Sequence, residues 1–233
     1  IEPSARMMGR LPKEITITPE PIGDLYAEWI HPPTPGNGVI LYFHGGGYVS
    51  GTCRAHRIHV AKVVLETGMS ALVIEYRVAP EHPYPAALED ALTAYRWLLE
   101  KHEPAQIVFM GDSAGGGLLL AALLAARDQG DPLPAGAVAL SPWTDLTCSG
   151  ESYQSRLELE PLAPTNSWTV FSKYYVGDTD PTTPWVSPLY GDLAGLPPLQ
   201  IYVGDHEVML SDSVDFAEKA KSAGVDVDLT VGD

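Results

Sequence analysis

The sequence predicts an α/β fold built from alternating strands and helices in one large domain. Apolar runs at 39–43 and 107–110, and the run at 71–75, which is apolar up to Glu75, are typical of strands that are buried on both faces of a sheet. Helical patterns over 55–67 and 86–101 follow the first two of these runs, which gives the rhythm of βαβ units. A chain of 233 residues is long enough to bury a substantial core around such a sheet.

The first predicted elements precede the central strands. β-branched and aromatic residues at 15–18 and 26–30, with turn formers between them, predict a pair of strands. Prolines and glycines punctuate the loop that follows, and the run at 39–43 then predicts the first central strand. The helical pattern over 55–67 is expected to end at Gly68.

A loop and two helices occupy the middle of the chain. Three prolines within 76–85 predict a loop, and 86–101 predicts an amphipathic helix. Its apolar stripe consists of Leu88, Ala91, Leu92, Tyr95, Leu98 and Leu99. After the strand at 107–110, residues 118–126 are predicted to be helical. They are apolar nearly all round, so this helix is expected to be buried against the sheet. Another buried strand is predicted at 135–140.

Residues 149–187 interrupt the regular alternation. They are rich in Pro, Trp and Tyr and poor in strand pattern, which predicts an insertion with one helix at 165–176. Long excursions of this kind usually lie over the active end of a sheet, so this one is a candidate lid and substrate pocket. Five aromatic residues either line that pocket or form a small satellite core. They are Trp168, Phe171, Tyr174, Tyr175 and Trp185.

The last elements return to the alternating pattern. Residues 199–203 predict a strand, and 208–223 predict a helix that Gly224 ends. Residues 225–231 alternate between apolar and polar side chains, as a final strand would.

Composition restricts the partners of this chain. Fourteen basic and thirty acidic side chains give a formal net charge of −16, which repels nucleic acid and anionic lipid. No apolar run approaches the roughly 18 residues that span a bilayer. Cys53 and Cys148 are too few for a disulfide framework, so reduced thiols in the cytoplasm are expected. The spacing of His, Cys and Asp indicates no metal site.

A glycine-rich turn follows the strand at 107–110. Gly111, Ser113 and Gly115 fit the G-x-S-x-G pattern, in which glycines let a strand and a helix crowd together while the serine hydroxyl is held out from a strained turn. Ser113 is therefore the candidate nucleophile. The alternative is an ordinary helix N-terminus that Asp112 or Ser113 caps.

A second glycine-rich turn, His44 with the three glycines 45–47, follows the strand at 39–43. Taken alone it is a flexible loop or an anion-binding turn. Ligands of open α/β sheets bind at the carboxyl ends of the strands, where both turns are expected to meet. The N–H groups of Gly45, Gly46 and Ala114 are the candidate donors to the oxyanion of a tetrahedral intermediate.

Together these motifs make the chain similar to the hormone-sensitive-lipase family of bacterial α/β-hydrolases. Residues 76–87, YRVAPEHPYPAA, also resemble a conserved stretch of that family. The resemblance implies an eight-stranded, mostly parallel sheet and a small cap from residues 1–14 and 149–187. It further implies hydrolysis of short-chain acyl esters without a cofactor. His44 resembles the family's loop-shaping histidine, and pairing of final strands in a homodimer is a further family-level expectation.

The family's acid lies in a D-P-L-x-D-E motif after the penultimate strand. Setting 207–212 against that motif places Glu207 at its first aspartate, so Glu207 is the predicted acid and Asp205 the second choice. Asp205 has the usual residue type but lies nearer the strand, and either carboxylate alternatively caps the next helix. Ser211 departs from the motif, and His206 is too close to the acid to act as its base.

The chain order nucleophile, acid, histidine calls for a histidine after Glu207, but all seven histidines precede it. They are His31, His44, His56, His59, His82, His102 and His206. The resemblance places the catalytic histidine in the loop after the last strand, so we expect it and a closing helix to follow Asp233. His56, His59 and His102 are expected on helices, as surface or packing residues.

The leading hypothesis is a carboxylesterase in which Ser113 attacks a small ester and Glu207 orients the missing histidine. The competing hypothesis is a catalytically silent binder of small molecules on the same fold. A phosphate-binding α/β protein is disfavoured because the chain is acidic and has no P-loop lysine.

Overall fold

In a computed structural model, residues 10–160 and 167–233 are described and form an eight-stranded sheet flanked by helices. The strands are β1 (Thr16–Pro19), β2 (Ala27–His31), β3 (Val39–Phe43), β4 (Ser70–Ile74), β5 (Ile107–Asp112), β6 (Gly136–Leu140), β7 (Leu199–Gly204) and β8 (Val227–Gly232). The helices are α1 (Cys53–Thr67), α2 (Ala86–Leu99), α3 (Ala114–Gln129), α4 (Ser152–Ser155), α5 (Ser167–Val176) and α6 (Leu210–Ser222), with 3-10 turns at Pro104–Gln106 and Pro188–Tyr190.

The sheet has the order β1-β2-β4-β3-β5-β6-β7-β8. β1 pairs antiparallel with β2 and β2 antiparallel with β4, whereas every pair from β4 to β8 is parallel. This arrangement confirms the mostly parallel sheet expected from the sequence. β3 and β5 lie side by side near its centre, with Phe43 opposite Gly111. The two glycine-rich turns therefore leave the sheet next to each other.

Local signals explain the ends of α1. The Thr52 side chain accepts a hydrogen bond from the Ala55 N–H at the first turn. Gly68 ends the helix with a left-handed φ of 68°, as predicted. α2 is two residues shorter than expected and ends at Leu99.

α3 is the buried helix of the fold. All residues from its start at Ala114 to Ala126 are buried, as the unbroken apolar pattern predicted. The helix packs against β5, β6 and β3 of the sheet and against α2. This packing fixes the first turn of α3, next to Ser113, relative to the sheet.

The core lies on both faces of the sheet. The larger cluster packs α2 and α3 against one face, around Phe43, Phe109 and Leu119. The smaller cluster packs α1 against the other face, with Tyr42 and Val60 among its buried side chains. Burial on both sides is the reason why the central strands are almost entirely apolar.

The described residues of the insertion contain one helix more than the sequence predicts. The short α4 was not expected, whereas α5 corresponds to the predicted helix at 165–176. The first two residues of that prediction, and residues 1–9 of the predicted cap, lie outside the described residues. Among the helices of the described ranges, none is long and apolar enough to cross a membrane.

Candidate active site

The turn between β5 and α3 holds Ser113 in a strained conformation. Its φ of 54° and ψ of −121° are rarely adopted by residues other than glycine. The Ser113 N–H donates to the Leu140 carbonyl at 2.8 Å, and its carbonyl accepts from the Trp143 N–H at 3.0 Å. Within residues 10–160 and 167–233, the Ser113 hydroxyl has no hydrogen-bond partner. The strand, turn and helix predicted here are confirmed.

The alternative interpretation of this turn was a helix cap. Ser113 does occupy the N-cap position of α3, but its side chain makes no capping hydrogen bond. The Asp112 side chain accepts instead from Tyr42 and Gly45, which lie on β3 and in the loop after it. Neither side chain therefore caps the helix, and the strained backbone at Ser113 needs another explanation.

Glycines let the turn at 111–115, here called the elbow, touch the end of β3. A Cβ on Gly111 would lie 2.7 Å from the Phe43 carbonyl oxygen. A Cβ on Gly115 would collide with the carbonyl oxygens of Phe43 and His44. Only a residue without a side chain allows this approach. The two glycine-rich turns are thus in direct backbone contact, as the sequence analysis expected.

The structure corrects one predicted oxyanion donor. The Gly45 N–H donates to Asp112 Oδ1 at 3.0 Å, so it is not available to a substrate. By contrast, the N–H groups of Gly46, Gly47 and Ala114 have no acceptor within the described part of the chain. Gly46 and Gly47 have φ values of 132° and 64°, which turn the loop sharply after β3. Gly47 was not among the predicted donors.

His44 is a packing residue of this loop. Its ring is buried and stacks on Tyr76, with centroids 4.2 Å apart. The His44 Nδ1 lies 2.9 Å from the Gly45 carbonyl oxygen, and the Tyr76 hydroxyl donates to the His44 carbonyl at 2.6 Å. Burial lowers the pKa of His44 to about 4, so the imidazole is neutral at pH 7.

A cavity of about 230 Å³ opens above the elbow. Its lining residues are Asp112, Ser113, Leu140, Ser141, Glu160, Trp168, Glu207 and Met209. The cavity therefore brings the predicted nucleophile and the predicted acid together, although 94 positions separate them in the sequence. Its wall combines apolar side chains with carboxylates.

The two candidate acids have different surroundings. Glu207 lines the cavity, and its Oε1 accepts the Gly204 N–H at 2.8 Å. The Asp205 carboxylate lies 3.2 Å from Arg156 Nη2, and 49% of its side chain is exposed. Asp205 does not line the cavity. The geometry therefore favours Glu207, as the comparison with the motif did.

The histidines lie outside the cavity, although all seven are described. His206 is exposed on the loop after β7. His56 and His59 lie on α1, and His56 Nε2 is 3.6 Å from Asp112 Oδ2. The prediction that His102 lies on a helix is wrong, because α2 ends before it; His102 instead packs edge-on against Trp29.

α5 covers the glycine-rich loop at 44–47, which follows β3. Trp168 lines the cavity, and Tyr175 stacks on Tyr48 with ring centroids 3.8 Å apart. A Cβ on Gly47 would lie 2.7 Å from the Phe171 ring. Three of the five predicted aromatic residues thus pack at or above the site.

The other two aromatic residues lie elsewhere. Tyr174 is 49% exposed on the outer side of α5. Trp185 donates from Nε1 to Asp128 Oδ2 at 3.1 Å, next to α3. The five residues therefore belong neither to one pocket nor to one satellite core.

Sequence reasoning missed a buried acid behind the site. Asp212 Oδ2 accepts the N–H groups of Thr144 and Asp145, each at 2.8 Å. Burial raises the pKa of Asp212 to about 8. Asp212 joins α6, which follows the Glu207 loop, to the segment after β6. Its position in the stretch compared with the family motif was visible, but its burial was not.

The described residues include no cluster of three His, Cys, Asp or Glu side chains that could hold a metal ion. What they bring together is a free hydroxyl, unpaired main-chain amides and a carboxylate in one small cavity. These are groups that acyl transfer through a serine requires.

Comparisons with known proteins identify the family of this chain. A family described as alpha/beta hydrolase fold matches residues 40–233. An acetyl-hydrolase of Streptomyces hygroscopicus is 44% identical over 208 residues, which cover 88% of this chain and 69% of that protein. An esterase of Acinetobacter venetianus is 34% identical, over 91% of this chain and 71% of its own.

Solved structures of esterases are also similar to this chain. The crystal structure of EstE5 soaked with p-nitrophenyl butyrate has a TM-score of 0.94 and 41% identity, covering 99% of this chain and 78% of its own. An esterase from the bacterial hormone-sensitive lipase family has a TM-score of 0.93 and 43% identity, covering 99% and 79%. The chain therefore belongs to the hormone-sensitive-lipase family of esterases, within the α/β-hydrolase superfamily.

Proposed function

We propose that this protein hydrolyses short-chain acyl esters through a covalent acyl-enzyme on Ser113. One observation carries the proposal. The hydroxyl of Ser113 is held on a strained turn, has no partner among the described residues, and opens into the same small cavity as Glu207. Main-chain amides without an acceptor in residues 10–160 and 167–233 lie on the turn itself and on the loop in contact with it.

The reaction starts with attack of Ser113 Oγ on the ester carbonyl carbon, while the hydroxyl proton passes to a histidine. The carbonyl oxygen becomes an oxyanion that accepts hydrogen bonds from the N–H groups of Gly46, Gly47 and Ala114. Collapse of this intermediate breaks the bond to the alcohol, which leaves with the proton. Water then attacks the acyl-enzyme by the same route and releases the carboxylic acid.

Glu207 is the acid in this proposal. A carboxylate that accepts from the ring N–H of the histidine fixes its tautomer and stabilises the imidazolium that forms. We propose that this histidine lies in the loop that follows β8, after Asp233. The placement of the seven histidines supports this, because none lines the cavity.

The proposed substrate is a small, uncharged ester. The cavity of about 230 Å³ leaves room for a short acyl group, and the carboxylates of Glu160 and Glu207 in its wall disfavour an anionic substrate. Relatives named acetyl-hydrolase and esterase support this class. We propose the cytoplasm as the compartment, since Cys53 and Cys148 are both free. A homodimer that pairs through β8, which lies at one edge of the described sheet, is also a proposal.

Hydrolysis of p-nitrophenyl esters from acetate to decanoate by the full-length protein tests the proposal. We expect the fastest turnover with the shorter acyl chains, and a loss of about 10⁴-fold or more in kcat for Ser113→Ala. Equal rates for the wild type and Ser113→Ala would end the assignment of the nucleophile. Binding of the esters without turnover would instead support the silent binder.

A further inference from the structure

The carboxylate of Asp112, the residue before Ser113, is bonded to the loop whose Gly46 and Gly47 amides have no acceptor among the described residues. We propose that Asp112 is a positioning residue, which holds Gly45 so that the N–H groups of Gly46 and Gly47 face the reacting carbonyl. This inference rests on the proposed function, because these donors matter only if an oxyanion forms beside Ser113.

Two hydrogen bonds converge on one oxygen of this carboxylate. Asp112 Oδ1 accepts the Tyr42 hydroxyl at 2.7 Å and the Gly45 N–H at 3.0 Å. Tyr42 is in β3 and Asp112 is the last residue of β5, the neighbouring parallel strand. The carboxylate thus bridges the two strands at the point where both end and both functional turns begin.

The space around the bridge is filled. A Cβ on Gly45 would collide with the Asp112 carboxylate, so the main chain of the loop lies directly against it. On the other side, His56 Nε2 lies 3.6 Å from Asp112 Oδ2, and His56 Nδ1 lies 3.2 Å from the Thr52 carbonyl oxygen. The carboxylate is therefore held between the loop and the first turn of α1.

The same packing extends to the base of the loop. The His44 ring lies between Tyr76, at 4.2 Å, and His56, at 5.4 Å between centroids. The Gly45 N–H anchors the loop, and the next two amides have no acceptor within the part of the chain that the structure describes. Donors that are fixed before the reaction are worth more than donors that must be ordered during it.

Asp112 is ionised at neutral pH. Burial opposes its ionisation. Hydrogen bonding to His56 and Tyr42 and the charge of the His56 ring nevertheless hold the pKa of the Asp112 carboxyl below its usual range. A hydrogen bond to an ionised acceptor is stronger than one to a neutral acceptor. The low pKa also makes Asp112 a poor proton acceptor for Ser113, so its effect passes through the loop.

Substitutions at Asp112 in the full-length protein test this role, with kcat and KM measured on p-nitrophenyl acetate. Asp112→Ala is expected to lower kcat about 100-fold, as loss of one oxyanion donor does, while KM stays within about threefold. Asp112→Asn keeps an oxygen that accepts from Gly45 and is expected to stay within about tenfold of the wild type. Tyr42→Phe removes only one of the two bonds and is expected to lose less than about fivefold.

A second readout separates positioning from general stability. Affinity for a trifluoromethyl ketone, which forms a tetrahedral adduct on the serine, should fall with Asp112→Ala in parallel with kcat/KM. Asp90→Ala is the matched control, because buried Asp90 on α2 also accepts a main-chain N–H, from Arg77 at 2.8 Å, but does not line the cavity. It should lower the unfolding temperature and leave kcat unchanged. If Asp112→Ala does not fold, Asp112→Ser takes its place, since its hydroxyl is too short to reach Gly45.

The outcomes distinguish the two proposals. A wild type that is folded but does not hydrolyse esters overturns the proposed function and this inference together. An active wild type with an equally active Asp112→Ala overturns the inference alone. Equal large losses in Asp112→Asn and Asp112→Ala also overturn it, because they would show that the charge itself takes part in the reaction.

Discussion

Exchange of Glu207 for glutamine removes one charge from the site and little else. The glutamine side chain has the same length, and its amide oxygen can still accept the Gly204 N–H, now bound at 2.8 Å. The local structure should therefore persist. What is lost is the carboxylate that the proposed histidine needs while it carries the proton of Ser113.

The size of the effect follows from this role. Loss of the acid from a serine triad with intact geometry costs about 10⁴-fold in kcat. At 1.36 kcal/mol for each factor of ten, this is about 5.4 kcal/mol of transition-state stabilisation. Asp205→Asn breaks a half-exposed ion pair with Arg156, at 3.2 Å, and such pairs contribute about 0 to 1 kcal/mol. We expect Asp205→Asn to change kcat by less than about fivefold.

Initial rates with p-nitrophenyl acetate, together with thermal unfolding of both variants, decide between the two acids. We expect a kcat for Glu207→Gln about three to four orders of magnitude below that of Asp205→Asn. A greater loss in Asp205→Asn, with both variants folded, would show that Asp205 and not Glu207 is the acid.

Three further predictions concern packing and charge. Gly115→Ala drives a methyl group into two carbonyl oxygens at the end of β3, so we expect a loss of about 1 to 3 kcal/mol in urea unfolding and a lower kcat. Arg57→Ala leaves the buried Glu28 carboxylate without its ion-pair partner and should cost about 3 kcal/mol in the same assay. For Asp212, burial raises the pKa from 3.8 to about 8, so the folded protein retains a proton that the unfolded chain releases between those values. The contribution of this group to the free energy of unfolding therefore falls as pH rises through that window. Asp212→Asn should make the free energy of unfolding less dependent on pH between 5 and 8. If urea titrations at several pH values give the same pH dependence for the variant and the wild type, this prediction is wrong.

The fold was predictable because its signals are local. Apolar runs fixed the central strands, with β3 at the predicted residues, and Gly68 ended α1 where expected. The spacing of Gly111, Ser113 and Gly115 predicted a turn whose strain the φ of 54° at Ser113 confirms. In each case the residue type is demanded by backbone geometry or burial at that position.

The details of the site were less predictable because they depend on contacts between distant segments. The three glycines after His44 do not reveal which of their N–H groups donates to Asp112. It is that of Gly45, which precedes Asp112 by 67 positions. The burial of Asp212 likewise results from the packing of α6 against the loop after β6. The choice of Glu207 over Asp205 came from a motif, whereas the physical reason, access to the cavity, is visible only in three dimensions.

The most direct test is covalent labelling of the folded full-length protein with a fluorophosphonate, followed by intact mass and peptide mapping. We expect one phosphonyl group per chain, attached to Ser113, with esterase activity lost in proportion to labelling. No adduct on an esterase-active protein, or inactivation by an adduct at another residue while Ser113 stays unmodified, would contradict it.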